Sequence, residues 1–189
     1  MKKFENDIIN SIKVLHNAGI ILYPTDTIWG LGCDAINEVA IRKIYLLKKR
    51  EEKKSMIILL AHGNEIKNYV LNPSKKIIDF LLQQKKPTTA IFKNAINLPE
   101  DLINKDGSIA IRIVKDDFCQ MLIRQLSTPL VSTSANISGD HHPKIFKEIN
   151  DVIKNGVDYV VQHRQNEMMT HQLSSIIILN SYGEIEKVR

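Results

Sequence analysis

The chain has 189 residues, of which 43% are hydrophobic and 25% are charged, proportions typical of one globular domain and not of a disordered chain. Twenty-six Lys and Arg against 21 Asp and Glu give a formal net charge of +5, a modest basic excess that suits anionic partners such as nucleotides or RNA. The sequence shows no signal-peptide core and no apolar run near the ~20 residues of a membrane span, so we expect a cytoplasmic protein with one domain over residues 1–189.

The hydrophobic pattern alternates between helical and strand spacing along the chain. A helix is predicted from Phe4 to Leu15, followed by a strand over Ile20 to Tyr23. A second helix begins after Asn37, a favourable N-cap residue. This alternation indicates an α/β fold around a mixed sheet, whose strand order the pattern does not reveal. Further strands are predicted at 55–61, 87–92, 108–114, 129–131, 159–161, 175–179 and 185–188, and further helices from 72–73, from 118 and over 145–153.

Cysteine and histidine usage argues against a structural metal site. Cys33 and Cys119 are far apart in sequence and are predicted to be free thiols in a reducing compartment. The six histidines have no spacing typical of zinc ligands, and we expect no zinc site.

Three polar groups of residues stand at predicted strand or helix ends: Thr25-Asp26-Thr27, the Lys48-x-Arg50 pair with Lys54 beyond it, and the segment 132–136 (Ser-Thr-Ser-Ala-Asn). Hydroxyls, an amide and fixed cations are suited to holding phosphate oxygens. No P-loop, dinucleotide fingerprint or Gly-x-Ser-x-Gly elbow is present. The residues alone therefore predict an anion-binding pocket. They leave open whether it is catalytic, and whether the hydroxyls serve only turns and the cations only a helix end.

Five segments in register resemble the YrdC family. They are residues 23–32 (Tyr-Pro-Thr-Asp-Thr-Ile-Trp-Gly-Leu-Gly), Lys48-Lys49-Arg50, Ala110-Ile111-Arg112, residues 134–139 (Ser-Ala-Asn-Ile-Ser-Gly) and residues 173–177 (Leu-Ser-Ser-Ile-Ile). The resemblance implies a twisted α/β sheet with flanking helices and a concave, positively charged face. Because the chain ends at Arg189, we expect it to lack the extra C-terminal domain of longer members.

The resemblance also implies a nucleotidyltransferase that combines L-threonine, bicarbonate and ATP into L-threonylcarbamoyl-AMP and releases pyrophosphate. A partner enzyme would transfer the threonylcarbamoyl group to an adenosine of tRNA, and direct tRNA binding by this chain is open. Such chemistry needs positioning and charge stabilisation, with no covalent intermediate on the protein. Mg²⁺ would accompany ATP, held mainly by its phosphates.

The family's site residues carry over to matching positions. Lys48 and Arg50 would contact the triphosphate, with Arg50 stabilising charge on the transferring phosphoryl group. The remaining predicted ligands of ATP are Lys54, Ser108, Asn136 and Arg189, and those of L-threonine are Thr27, Arg112, Ser134 and Ser174.

Some residues depart from the family pattern, including Trp29, where tyrosine is common, and the segments 54–56 and 86–89. Asp26 is interpreted as a structural or metal-adjacent carboxylate and not as a catalytic base. Two alternative functions remain: a non-catalytic RNA-binding module that uses the basic face, and a paralogue that activates a different amine with ATP.

Overall fold

A mixed sheet of nine strands runs through the part of the chain that the structure, a computed structural model, describes, namely residues 4–49 and 56–188. The strand order is β7-β1-β2-β6-β3-β5-β4-β8-β9, so most neighbours in the sheet are distant in sequence. The strands are β1 (Ile21–Tyr23), β2 (Gly30–Gly32), β3 (Ile57–Leu60), β4 (Thr88–Phe92), β5 (Ile109–Ile113), β6 (Leu130–Ser134), β7 (Tyr159–Val160), β8 (Ser175–Leu179) and β9 (Ile185–Lys187).

Helices pack on both faces of this sheet. They are α1 (Glu5–His16), α2 (Glu38–Leu47), α3 (Lys75–Gln83), α4 (Asp117–Leu126) and α5 (Asp151–Asn155). Helices α1 and α4 form a buried apolar cluster with one face, through strand residues such as Leu59 and Leu130. Helices α2 and α3 belong to the cluster on the opposite face, which contains Ile58, Ile109 and Ile111. The predicted α/β fold with a mixed sheet and flanking helices is therefore confirmed.

Side-chain alternation along β5 determines which face carries Arg112. Ile109, Ile111 and Ile113 point into the α2/α3 core, so Arg112 points to the other face, as its strand position predicts. On that face Arg112 pairs directly with Leu59 of β3 and with Thr89 of β4. Leu59 lies in the apolar cluster with α1 and α4, whereas Arg112 borders a cleft.

Local capping agrees with the sequence at the start of two helices. The Asn37 side chain accepts a hydrogen bond from the Ala40 amide at 3.0 Å, which confirms the predicted N-cap of α2. The Asp116 side chain caps α4 in the same way, accepting from the Cys119 amide at 2.9 Å. None of the helices in the described part of the chain has both the length and the apolar character needed to span a bilayer.

The structure differs from the predicted elements in three places. Residues 30–32 form β2 although glycine disfavours strands, because this segment pairs with β1 on one side and β6 on the other. The single helix predicted over 145–153 is instead a 3₁₀ turn at Phe146–Glu148 followed by the short α5. Helix α3 begins at Lys75, after Ser74, and not at 72–73.

Candidate active site

A cleft of about 350 Å³ lies on the open part of the sheet face that α1 and α4 cover elsewhere. Its volume is within the usual range for small-molecule sites. The four residues predicted to hold L-threonine all line it, although they come from four separate segments of the chain. The residues that line the cleft include Thr27, Arg112, Ser134 and Ser174, together with Trp29 and His142.

The turn after β1 is held in shape by the hydroxyl of Thr25. This hydroxyl donates to the Ile28 carbonyl at 2.7 Å and accepts from the Thr27 amide at 3.0 Å. Because its own hydrogen is used on Ile28, it also accepts from the Thr27 hydroxyl, 2.9 Å away. The Thr27 oxygen is thus oriented with its lone pairs away from Thr25, available to donors in the cleft.

Arg112 brings a fixed positive charge to the cleft. Its residue is 3% exposed, and its guanidinium pairs with Asp26, Nη2 to Oδ1, at 3.1 Å. The Nη1 atom donates to the Thr27 hydroxyl at 3.3 Å. The buried Nε–H has no hydrogen-bond acceptor among the described residues. The guanidinium, a planar cation that borders the cleft, is suited to bind an anionic ligand.

Asp26 therefore has the structural part of its predicted role, as the counter-ion that fixes Arg112. A second arginine, Arg164, anchors the same turn from the other side. Its Nη1 atom donates to the Thr25 carbonyl at 3.0 Å and to Asp116 Oδ2 at 3.2 Å. Nothing in the sequence indicates this anchoring role of Arg164, because Asp116 and Thr25 lie 48 and 139 residues away along the chain.

Lys48 is almost fully buried, 1% exposed, and joins the end of α2 to the end of β6. Its ammonium donates to the carbonyl oxygens of Ser134 at 2.5 Å and of Asn136 at 2.6 Å, and its own carbonyl accepts from the Ser138 amide at 2.8 Å. Lys48 therefore does more than place a positive charge at the C-terminal end of α2. Lys48 positions the Ser134–Asn136 turn, and its predicted contact with triphosphate stays a prediction.

Asn136 uses its amide to shape the loop that follows. Both hydrogens of Nδ2 are directed to backbone carbonyls, those of Ile137 and Asp140, each at 2.9 Å. Its Oδ1 lies 3.3 Å from Nδ1 of His142. These bonds give Asn136 a role in shaping the loop. They do not test its predicted contact with nucleotide, which stays a prediction.

The other predicted site residues divide into three groups. Ser174 lines the cleft, and its hydroxyl lies 2.9 Å from that of Thr89. Ser108 does not line the cleft. It precedes β5, four residues before Arg112, and its hydroxyl donates to Asp106 Oδ1 at 2.7 Å. Arg50, Lys54 and Arg189 lie outside the described residues, so the basic character expected of the concave face stays a prediction.

The described residues offer little to a metal ion or to cysteine chemistry. Within 4–49 and 56–188, no three His, Cys, Asp or Glu side chains lie close enough together to hold a metal. Cys33 and Cys119 are unbridged and buried, and burial raises the pKa of both thiols well above the ordinary value. The prediction of two free thiols is confirmed.

The sequence reasoning identified Trp29 as a flat aromatic wall in place of the family's tyrosine, and it missed one contributor to this site, His142. The Trp29 ring, 5% exposed, packs against Phe146 with ring centroids 4.8 Å apart. His142 follows the Ser-x-Asn motif by six residues, a proximity that could have identified it.

Comparison with known proteins gives the family. The Sua5/YciO/YrdC family model, described as telomere recombination, matches residues 13–189. A relative from Methanocaldococcus jannaschii, named putative threonylcarbamoyl-AMP synthase, is 41% identical over 152 residues, which is 79% of this chain and 70% of that protein. The threonylcarbamoyl-AMP synthase of Idiomarina loihiensis is 32% identical over 146 residues, 76% of this chain and 78% of that protein.

Two crystal structures share the fold at low sequence identity. P. abyssi Sua5 in complex with L-threonine aligns with a TM-score of 0.86 and 19% identity over 98% of this chain, which spans about half of that protein, 54%. E. coli YciO aligns with a TM-score of 0.81 and 22% identity, over 97% of this chain and 88% of its own. The match of the family model over most of the chain, joined by the two sequence relatives, is decisive: this chain belongs to the Sua5/YciO/YrdC family.

Proposed function

We propose that this chain is a nucleotidyltransferase that makes L-threonylcarbamoyl-AMP and pyrophosphate from L-threonine, bicarbonate and ATP. The observation that carries the proposal is the arrangement around Arg112. A buried guanidinium, paired with Asp26, lies at a cleft that Thr27, Ser134 and Ser174 also line. Sequence relatives named as this synthase, and a fold shared with a Sua5 structure bound to L-threonine, support the same substrate.

The cleft suits an amino acid with a polar side chain. The carboxylate of L-threonine would accept from Arg112 in a charge-assisted bond, which is stronger than a bond between neutral groups. The Thr27 hydroxyl already donates to Thr25, so it would accept a hydrogen bond from the substrate. Ser174 and Ser134 border the remaining space as small hydroxyl groups.

The reaction itself requires two bond-forming steps. The threonine nitrogen forms a bond to the carbon of bicarbonate, and water leaves to give a carbamate. An oxygen of this carbamate then attacks the α-phosphorus of ATP, and the bond to the β-phosphate oxygen breaks to release pyrophosphate. Lys48, at the end of α2, and Arg50 would stabilise charge on the phosphates, and Mg²⁺ would be carried by the phosphate oxygens. The product would pass to a partner enzyme that modifies tRNA.

The test is pyrophosphate release from ATP and bicarbonate with each amino acid in turn. We expect release with L-threonine, and a KM for L-threonine about 10- to 100-fold higher in Arg112→Lys, because lysine cannot reproduce the guanidinium geometry and a charge-assisted bond contributes about 1.5–3 kcal/mol. The KM for ATP should change little. Arg124→Lys is the matched control, since Arg124 is exposed on α4 and its side chain donates to Gln120 one turn away on the same helix.

Two outcomes would contradict the proposal. Release that depends on an amino acid other than L-threonine would indicate a paralogue that activates a different amine. No release with any amino acid, together with salt-sensitive tRNA binding, would indicate an RNA-binding module instead.

A further inference from the structure

The proposed reaction requires a proton acceptor, and none of the residues given a role in the reaction so far supplies one. L-Threonine is mainly an ammonium ion near neutral pH, and an ammonium nitrogen has no lone pair with which to attack the carbon of bicarbonate. Lys48 and Arg112 are cations already engaged as donors, and Asp26 is the counter-ion of Arg112. The inference that follows rests on the proposed function, and it concerns how the substrate nitrogen is deprotonated.

One side chain on the cleft wall can exchange a proton near neutral pH. Among the described residues that line this cleft, His142 is the only histidine, and no Asp, Glu, Lys or Cys accompanies it. The lining places it in the same cavity as Thr27, Arg112 and Ser134, where the amino acid is proposed to bind. The residue is also exposed, so a proton taken from a ligand could pass on to solvent.

Asn136 determines which nitrogen of His142 carries hydrogen. The Asn136 Nδ2 hydrogens are used on the carbonyls of Ile137 and Asp140, which identifies the remaining amide atom as the acceptor Oδ1. The histidine atom 3.3 Å from this Oδ1 is Nδ1, and only a protonated Nδ1 makes that contact favourable. In neutral His142 the basic lone pair is therefore on Nε2, at the far side of the ring from Asn136.

We propose that His142 is the general base of the reaction and that Asn136 is its positioning residue. Nε2 takes one proton from the threonine ammonium, leaving a neutral amine and an imidazolium. The amine lone pair forms the C–N bond to bicarbonate, one further N–H proton leaves with the hydroxyl group as water, and the carbamate remains. The imidazolium then returns its proton to solvent, so His142 ends each turnover neutral.

The test compares His142→Asn with His141→Asn in the whole 189-residue chain. Asparagine can place an N–H where Nδ1 stands and so keep the bond to Asn136, but it has no basic nitrogen at the Nε2 position. At pH 7 we expect kcat of His142→Asn to fall about 100-fold or more, with KM for ATP and L-threonine near the wild-type values. His141 is exposed and does not line the cleft, so His141→Asn should match the wild type.

The pH profile separates a base from a structural residue. The activity of His142→Asn should rise toward the wild-type value as the pH increases, because solution then supplies the free amine, and added imidazole should restore activity to His142→Ala. Suppose that the wild type is active and that His142→Asn has the same kcat, or a kcat lowered by the same factor at every pH. Either result would overturn this inference and leave the synthase proposal intact. Absence of threonine-dependent release by the wild type would overturn both.

Discussion

The ion pair between Asp26 and Arg112 is the structural feature on which the cleft depends, and Asp26→Asn tests it directly. The two charges are 3.1 Å apart, with side chains 14% and 4% exposed. At an effective dielectric constant of about 20, such a pair has about 5 kcal/mol of Coulomb attraction. Asparagine keeps an acceptor, and water in the cleft can solvate part of the guanidinium, so we expect a loss of about 2 kcal/mol and not the full 3–5 kcal/mol of a sealed pair.

The assay is equilibrium unfolding in urea, in which an m-value equal to that of the wild type checks that unfolding remains two-state. A loss of about 2 kcal/mol should lower the melting temperature by about 4–8 °C in a domain of this size. Glu38→Gln is the control, because its partner Arg42 is 64% exposed and surface pairs contribute little. An Asp26→Asn protein as stable as the wild type, with an unchanged m-value, would refute the reasoning. L-Threonine should recover part of the loss by binding Arg112.

Three further predictions concern packing and titration. Gly32→Ala would place its Cβ 2.6 Å from a ring carbon of Tyr23 and 2.9 Å from a carbonyl oxygen of β6, and should cost about 1–3 kcal/mol in urea unfolding, whereas equal stability would contradict this packing. Burial and a neighbouring guanidinium lower the pKa of His163 below 6.5, so the unfolded chain binds the proton first. The free energy of unfolding should therefore decline as the pH falls from about 6.5 toward the folded-state pKa of His163. Urea midpoints measured across this pH range should show a smaller decline for His163→Phe than for the wild type. A thiol reagent should modify Cys33 and Cys119 only in urea, since both are buried with raised pKa values; modification in the native protein would contradict their burial.

Local patterns in the sequence were sufficient for most elements of the fold and for one half of the site. The alternation in β5 correctly placed Arg112 opposite the isoleucines, because side-chain direction in a strand is a local property. The motif positions Thr27, Ser134 and Ser174 indeed meet Arg112 at one cleft. The strand status of residues 30–32 was missed, since it depends on pairing with β1 and β6 and not on glycine's own preference.

The parts that could not be predicted depend on contacts between distant segments. The strand order joins β6 to β2 and β3, and no periodicity along the chain contains that information. The anchoring of the Thr25 carbonyl by Arg164 is a contact of this kind. The role of Lys48 was predicted from a motif as a phosphate contact, whereas its bonds to two β6-end carbonyls could be seen only in three dimensions.

The most direct test of the central claim is mass spectrometry of the nucleotide product formed from ATP, L-threonine and ¹³C-bicarbonate. The account predicts a threonylcarbamoyl adenylate that carries both the threonine mass and the ¹³C label, formed together with pyrophosphate. It also predicts that this product is greatly reduced with Arg112→Lys at low L-threonine and restored at high concentration. A labelled adenylate that lacks threonine, or no labelled adenylate from folded wild-type protein, would contradict the account.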